Sequence, residues 1–385
     1  MSRRALFAAA AAGMFVFGTT LAILGVLFGM PAMRARMHAD LAQQGDILFV
    51  LYAGVLLSTI IAGPVIDHFG NKVVLRVAAL TVLAGLLALA AARSFSAASI
   101  AAFVMGFGGG GLNTSANALV AEIYPEHRGA MLNLVAVFFG LGALVAPVIA
   151  VVAAARLTIV CAALAAACTI FYFALRFPPA AETQGFSIFA SIKAVRYPGV
   201  MLFAWLLFCE SGNESAIGGW TSTYAGSIGA SPALATWILA GYWAGLMSGR
   251  IAGVKLASAM SKPRLLLLCG IGSAIGTALL ILWPSVIAAF IIGLSFAAIY
   301  PTTLAIAADR YQRLAGTIFG LLFAVGLIGG MIFPWAVGQL SERFGVRPAM
   351  TLPLAGAIVI MILVTLIRKR AAAEPRAYPS ESSVL

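Results

Sequence analysis

Charged residues are scarce in this chain. They make up 9% of its 385 residues, whereas 62% are hydrophobic and the mean hydropathy is +1.05. A soluble protein of this length needs far more polar surface to stay in solution. The apolar residues fall into repeated runs of about 20 residues, the length of a helix that crosses a bilayer. The composition therefore predicts an all-α, polytopic membrane protein.

Cysteine and histidine are also rare, which restricts the chemistry of the chain. The four cysteines lie in predicted helices and show neither metal-site nor disulfide spacing, so we expect them to fill apolar space. The three histidines fall in loops or at helix ends, and we assign none of them a role. The sequence shows no catalytic triad and no metal cluster. We therefore expect no enzyme activity, no metal and no cofactor.

The apolar runs allow twelve membrane helices. The predicted spans are 7–30, 45–66, 73–92, 98–121, 130–154, 157–176, 198–225, 232–253, 264–283, 285–307, 316–340 and 348–367. The first has too long an apolar region, and too little sign of a cleavage site, for a removed signal peptide.

The net charge of +12 follows membrane topology and does not indicate a nucleic-acid partner. With both termini in the cytoplasm, 18 of the 24 Lys and Arg residues fall on the inner side and 6 on the outer side. This positive-inside bias indicates the topology and contact with anionic lipid. We expect a multi-pass protein of a bacterial inner (plasma) membrane.

The chain resembles itself at an offset of about 187 residues. The matching landmarks are Gly63 with Gly249, Glu122 with Asp309, Gly142 with Gly329, and Pro147 with Pro334. Several landmarks at one offset indicate two six-helix halves of the same orientation, a pattern typical of secondary transporters. We predict an N-terminal half at 1–176, a cytoplasmic linker at 177–197, a C-terminal half at 198–370, and a disordered cytoplasmic tail at 371–385.

Two carboxylates stand inside the seventh predicted span. Glu210 and Glu214 are four residues apart and therefore share one helix face. A charge at membrane depth costs roughly 2.5–3.5 kcal/mol on insertion scales, so protein or water must surround it. Burial favours the protonated form, and two carboxylates on one face oppose double ionisation. The pair is predicted to carry protons; the alternative is structural hydrogen bonding to a neighbouring helix.

A loop signature follows the second predicted span and reads Gly63-Pro-Val-Ile-Asp67-His-Phe-Gly70-Asn-Lys72. It resembles the loop that braces one access state in the major facilitator superfamily. We expect Gly63 to allow close helix approach and Gly70 to permit a tight turn. The resemblance implies that Asp67 engages Arg128, with Lys72 as the basic end of the signature. The alternative is an ordinary solvated turn.

The resemblance covers nearly the whole chain and implies twelve transmembrane helices in two pseudo-symmetric six-helix halves. It is closest to the fucose/glucose/galactose–proton symporter group. The segments that carry it are Gly108 to Asn117 with Asn133, Glu214 to Tyr224, and Ile299 to Thr303. Where the fucose symporter carries acidic residues, this chain has Gly25 and Asn113, so Glu214 and Glu210 are left as the proton carriers.

A sugar needs two-way hydrogen-bonding groups and an aromatic wall. The candidate substrate-binding residues are Asn113, Asn117, Asn133, Asn213, Tyr52, Trp220, Trp243 and Tyr300. The amides could equally bond neighbouring helices, and the rings could pack in the core or at the membrane interface.

The sequence therefore predicts a monomeric secondary active transporter, specifically a proton-coupled symporter of a neutral monosaccharide or similar polar molecule. A proton-driven exporter of amphipathic compounds is the first alternative. Such exporters usually have a Gly-Pro followed by Gly-Gly in the fifth helix, and 146–150 here read Ala-Pro-Val-Ile-Ala. A receptor or scaffold that transports nothing is a further alternative, which the small loops disfavour.

Overall fold

The computed structural model describes residues 2–177, 198–311 and 315–373, and these are almost entirely helical. The helices are α1 (Arg3–Phe28), α2 (Pro31–Met37), α3 (Leu41–Phe69), α4 (Asn71–Ala91), α5 (Phe95–Ile123), α6 (Arg128–Ala153), α7 (Leu157–Ala174), α8 (Pro198–Ser227), α9 (Pro232–Ala259), α10 (Lys262–Leu282), α11 (Val286–Phe296), α12 (Ile299–Arg310), α13 (Ala315–Phe344), α14 (Val346–Ala349) and α15 (Thr351–Ala373).

A long helix lies at each predicted span except the tenth, which is divided into α11 and α12. The division precedes Pro301, whose nitrogen cannot bond the carbonyl of Ala297. Nine stretches of the described chain are long and apolar enough to cross a membrane, and one of them contains both α6 and α7. α8 is not among the nine, because its central carboxylates and amide lower its hydropathy. The all-α membrane fold is confirmed.

Polar caps fix where several helices begin. Asp40 Oδ1 accepts a 2.7 Å hydrogen bond from the Gln43 backbone N–H, and Gln43 Oε1 accepts one of 3.2 Å from the Asp40 backbone N–H, which together form a capping box at α3. Ser94, Ser231 and Ser285 cap α5, α9 and α11, because each hydroxyl oxygen accepts a hydrogen bond from the backbone N–H three residues later. These residues satisfy backbone N–H groups that a bilayer would leave without partners.

Helix packing repeats between the two halves. In the first, α1 packs on α6, α3 on α5 and α4 on α7; in the second, α8 packs on α13, α9 on α11 and α10 on α15. Of the predicted linker the structure describes only Phe177, and α15 continues through Ala373, past the predicted end of its half. The linker and tail therefore stay predictions.

Glycines set the register of this repeat. Gly142 of α6 lies against the Phe15 carbonyl, and Gly329 of α13 lies against the Phe208 carbonyl, so a Cβ at either position would collide with backbone. Gly142 and Gly329 therefore occupy equivalent positions in the two halves, as the sequence repeat predicted.

The offset between the halves is not constant. Gly54 of α3 lies against the backbone of α5, and Gly245 of α9 lies against the backbone of α11 in the same manner. These two glycines are 191 residues apart. The predicted pairing of Gly63 with Gly249 is therefore wrong, because the chain from Gly245 to Phe290 of α11 is four residues shorter than the chain from Gly54 to Phe103 of α5.

The halves meet most closely at one end of the bundle. We call the end where α1 begins and α15 ends the terminal face, and the other end the opposite face. α1 packs on α8, α3 on α13 and α6 on α9 across the halves. Near the opposite face, Gly25 lies against Gly218, and Gly45 lies against Gly338. The opposite face is therefore closed.

Candidate functional site

The two predicted proton carriers lie in the middle of α8. Glu210 is 1% exposed, and neither of its carboxylate oxygens has a hydrogen-bond partner among the described residues. Glu214, one turn later, is half-buried. Isolated buried carboxylates are costly when ionised, so this position requires either a bound proton or a nearby cation.

A cation does lie nearby, on α9. Arg250 interacts electrostatically with both Glu210 and Glu214, yet no ion pair joins it to either within the described chain. Its guanidinium carbon instead lies 5.3 Å from the ring centroid of Phe139 on α6, in the other half. Sequence reasoning missed this residue by counting it as a surface cation. Its place within the predicted span 232–253, three residues from the end, was the available signal.

Aromatic residues from both halves surround the pair. Tyr52 of α3 interacts electrostatically with Glu214, while Tyr242 of α9 and Tyr300 of α12 interact with both carboxylates. Tyr242 also donates a 3.3 Å hydrogen bond to the Glu214 carbonyl. The predicted ligands Tyr52 and Tyr300 therefore lie at the glutamate pair.

Trp243 also lies between the halves. Its ring centroid is 6.1 Å from that of Phe139, and it lies beside Gly218 of α8. Its Nε1 is buried without a partner among the described residues. It can therefore donate a hydrogen bond to a bound molecule.

The predicted amide ligands of the first half form their own group. Asn117 donates hydrogen bonds to the Asn113 carbonyl and side-chain oxygen, at 2.8 Å and 3.0 Å, and lies 3.9 Å from the Met14 sulfur of α1. Asn133 is half-buried on α6. In the described chain no hydrogen bond joins these amides to the glutamate pair.

Two other predicted ligands face helix packing. Trp220 is fully buried and donates a 2.9 Å hydrogen bond to the Pro334 carbonyl of α13. Asn213 is fully buried against Gly356 of α15, where a Cβ would meet its amide. The position of Trp220 favours a packing role, whereas both side-chain amide atoms of Asn213 are buried without a hydrogen-bond partner among the described residues.

The predicted latch agrees with the structure at Gly70 and differs from it at Gly63. Gly70 has φ of 79° and turns the chain from α3 into α4, as expected. A Cβ at Gly63 would meet nothing within 4 Å among the described residues, so the expected close approach there is absent. Asp67 is half-buried, whereas Lys72 and Arg128 are exposed.

The same face holds two matched ties that the sequence did not reveal. In the first half, Asn71 donates a 3.1 Å hydrogen bond to Glu122 and accepts one of 2.9 Å from Ser115. In the second half, Lys262 pairs with Asp309 at 2.5 Å. Glu122 and Asp309, which the repeat had matched, thus bond the first residues of the equivalent helices α4 and α10.

A polar clasp closes the opposite face. Asp46 of α3 accepts hydrogen bonds from Trp335 Nε1 at 3.1 Å and from Gln339 Nε2 at 3.2 Å, both on α13. Glu342 accepts one of 3.1 Å from the Leu41 amide. We refer to these five residues as the clasp. It joins α3 of the first half to α13 of the second half at the opposite face.

Comparison with known proteins places the chain among transporters. The sequence profile of the Major Facilitator Superfamily matches residues 10–227 and again 203–383. The solute carrier family 2, facilitated glucose transporter member 10, of Danio rerio is 32% identical over 136 residues, which are 35% of this chain and 26% of that protein. The 4-hydroxybenzoate transporter PcaK of Acinetobacter baylyi is 29% identical over 118 residues, 31% and 25% of the two chains.

The matches thus span about a quarter of the length of these curated relatives. Among solved structures, a mutant of the nucleoside transporter NupG superposes with a TM-score of 0.76 over 95% of this chain and 99% of that one, at 14% identity. At that identity the likeness concerns the fold alone.

Proposed function

The chain belongs to the Major Facilitator Superfamily, and from this premise we propose that it carries a small polar molecule across the membrane together with protons. The family and the relatives make it a multi-pass secondary transporter and not an enzyme. Proton coupling, substrate class and direction are the proposed parts. We place both termini on the cytoplasmic side of a bacterial inner membrane, with the protein acting as a monomer.

The observation that carries the proposal is the state of Glu210. Its buried, unpartnered carboxyl lies beside Glu214 and near groups from both halves. Such a carboxyl is stable when protonated and costly when ionised. Exposure of the pair to water on one side of the membrane would release the proton, and this is what coupling to a gradient requires.

A neutral hydroxylated molecule suits the remaining groups. Asn113 and Asn117 offer amides, while Tyr52, Tyr300 and Trp243 offer rings with polar tips. The proposed substrate class is a monosaccharide or a similar polyhydroxylated molecule. Alternating access would rock the halves around it, and the closed opposite face supports a state that opens toward the cytoplasm.

Uptake into proteoliposomes tests the proposal. Purified protein would be supplied with labelled hexoses, polyols and nucleosides, with and without an imposed inward proton gradient. We expect gradient-dependent accumulation of at least one neutral substrate, and its collapse on addition of a protonophore. Accumulation that ignores the gradient would contradict proton coupling, and gradient-driven efflux of amphipathic dyes would favour the exporter.

A further inference from the structure

Arg250 is a half-buried cation with no anion in contact among the described residues. It is half-buried in α9, and its Nε has no hydrogen-bond partner among the described residues. Its guanidinium lies over Phe139 of the other half, 5.3 Å from the ring centroid, where the face of the aromatic ring attracts a cation. The contact therefore contributes directly to the packing of α6 on α9 across the two halves.

Glu210 shows the complementary deficiency. Its carboxyl feels the charges of Glu214 and Arg250, but it is bonded to neither. An ionised carboxylate in this place would draw the nearest cation to itself, because an unpaired buried charge costs several kcal/mol. The arrangement therefore corresponds to a protonated Glu210 and an Arg250 held by the aromatic ring.

We propose that Arg250 is a positioning residue that changes partner with the proton, from Phe139 to the glutamate pair. This inference rests on the proposed proton coupling. When the carboxyl O–H of Glu210 breaks and the proton passes to water, the remaining carboxylate attracts the guanidinium. Arg250 stays protonated throughout, so no other bond forms or breaks.

The exchange links proton release to the contact between the halves. Once Arg250 leaves Phe139, α6 and α9 lose a cross-half attraction, and the closed arrangement becomes easier to open. The other titratable groups facing the pair are the hydroxyls of Tyr52, Tyr242 and Tyr300, from α3, α9 and α12. As phenols they are neutral near physiological pH and can solvate the carboxylates without replacing the cation.

A cysteine reporter can follow this opening without a known substrate. Ser222 of α8 is fully buried against Gly29 of α1, across the halves, so Ser222→Cys is close to isosteric and protected while the opposite face is closed. The full-length protein in liposomes would be labelled with a maleimide from mildly acidic to mildly alkaline pH, with rates normalised to an exposed reporter, Gly129→Cys. The same charge variants without Ser222→Cys serve as the control for unfolding. Their four native cysteines are buried, so labelling of these variants would mean that the protein has unfolded.

Removing the carboxylates and removing the contact between Arg250 and Phe139 are expected to change the labelling rate in opposite directions. With wild-type charges, Ser222→Cys labelling should accelerate as pH rises. Glu210→Gln with Glu214→Gln should label slowly at every pH, because Arg250 keeps its place on Phe139. Arg250→Gln and Phe139→Leu should label fast at every pH, and Arg250→Lys should restore a pH response.

Two results would overturn the exchange of partners. One is an Arg250→Gln variant that keeps the wild-type pH response, which would reduce Arg250 to packing. The other is a reporter that ignores pH with all charges intact. Neither depends on the uptake assay, so gradient-driven uptake with a pH-insensitive reporter would reject this inference alone. The expected labelling pattern without gradient-driven uptake would reject the proposed function alone.

Discussion

The two halves of this transporter share a scaffold but differ in chemistry. The equivalent glycine contacts of α6 and α13 align α1 with α8, so that Glu210 and Glu214 correspond to Phe17 and Leu21. Phe17 is a buried ring that packs on Phe139 at 5.4 Å, and Leu21 is half-buried. The positions that carry acid in one half are therefore apolar in the other.

Arg250 likewise has no charged counterpart at the equivalent position of the first half. The contacts of Gly54 and Gly245 align α3 with α9, which places Thr59 opposite Arg250. The Thr59 hydroxyl bonds the Val55 carbonyl of its own helix at 2.8 Å and needs no tertiary partner. Backbone contacts at glycine thus preserve the fold, while the two carboxylates and the arginine near the centre all belong to the second half.

The largest expected effect comes from removing that asymmetry at Glu214. Glu214→Gln should abolish gradient-driven accumulation and spare exchange of substrate across the membrane, because an amide cannot carry a proton but keeps the shape. The matched control is Leu21→Gln at the equivalent position of α1. Uptake and counterflow in proteoliposomes measure both modes, and an equal loss of the two for Glu214→Gln would mean a substrate-binding or structural role.

The shared scaffold can be tested at the glycines. Gly142→Ala and Gly329→Ala should each destabilise the protein by about 1–3 kcal/mol, because the added methyl collides with backbone. Gly63→Ala, with open space around it, should be neutral or stabilising. Thermal unfolding of the purified protein reports all three. Unequal losses at the two matched glycines would break the equivalence of the halves.

The clasp reverses the asymmetry, since its central acid comes from the first half. Asp46→Ala removes the acceptor of two cross-half hydrogen bonds, each worth about 1 kcal/mol. Labelling of the Ser222→Cys reporter should rise by at least about fivefold. Asp40→Asn is the control, because Asn also caps a helix and Asp40 bonds only within α3. Equal labelling in the two variants would exclude a gating role for Asp46.

The sequence predicted the helices, the repeat and the glutamate pair, because each depends on local pattern or on the cost of charge in a membrane. It could not predict which way α8 is rotated. That helix is buried on nearly every side, so no polar face sets its orientation. As a result the sequence could not show that Trp220 bonds the Pro334 carbonyl of α13 and that Asn213 lies against Gly356 of α15. Arg250 was missed because tertiary contacts, not neighbours in sequence, bring it to the acids.

The smallest effect is expected at the terminal face, where the two halves join equivalent helix ends through different side chains. Asn71 and Lys262 are the first residues of α4 and α10. Asn71 bonds Glu122 at the end of α5, and Lys262 pairs with Asp309 at the end of α12. Lys262 and Asp309 have side chains 39% and 66% exposed, so water and salt screen their attraction.

Lys262→Met should therefore change the free energy of unfolding by about 0–1 kcal/mol, and added salt should remove the difference. Asn71 is buried and bonded on both sides of its amide, so Asn71→Ala should cost about 1–3 kcal/mol and be indifferent to salt. Thermal unfolding at low and high ionic strength compares the two. A loss of stability in Lys262→Met that does not depend on salt would mean that Lys262 stabilises the second half by packing and not by its charge. The two halves would then differ less at the terminal face than at the centre.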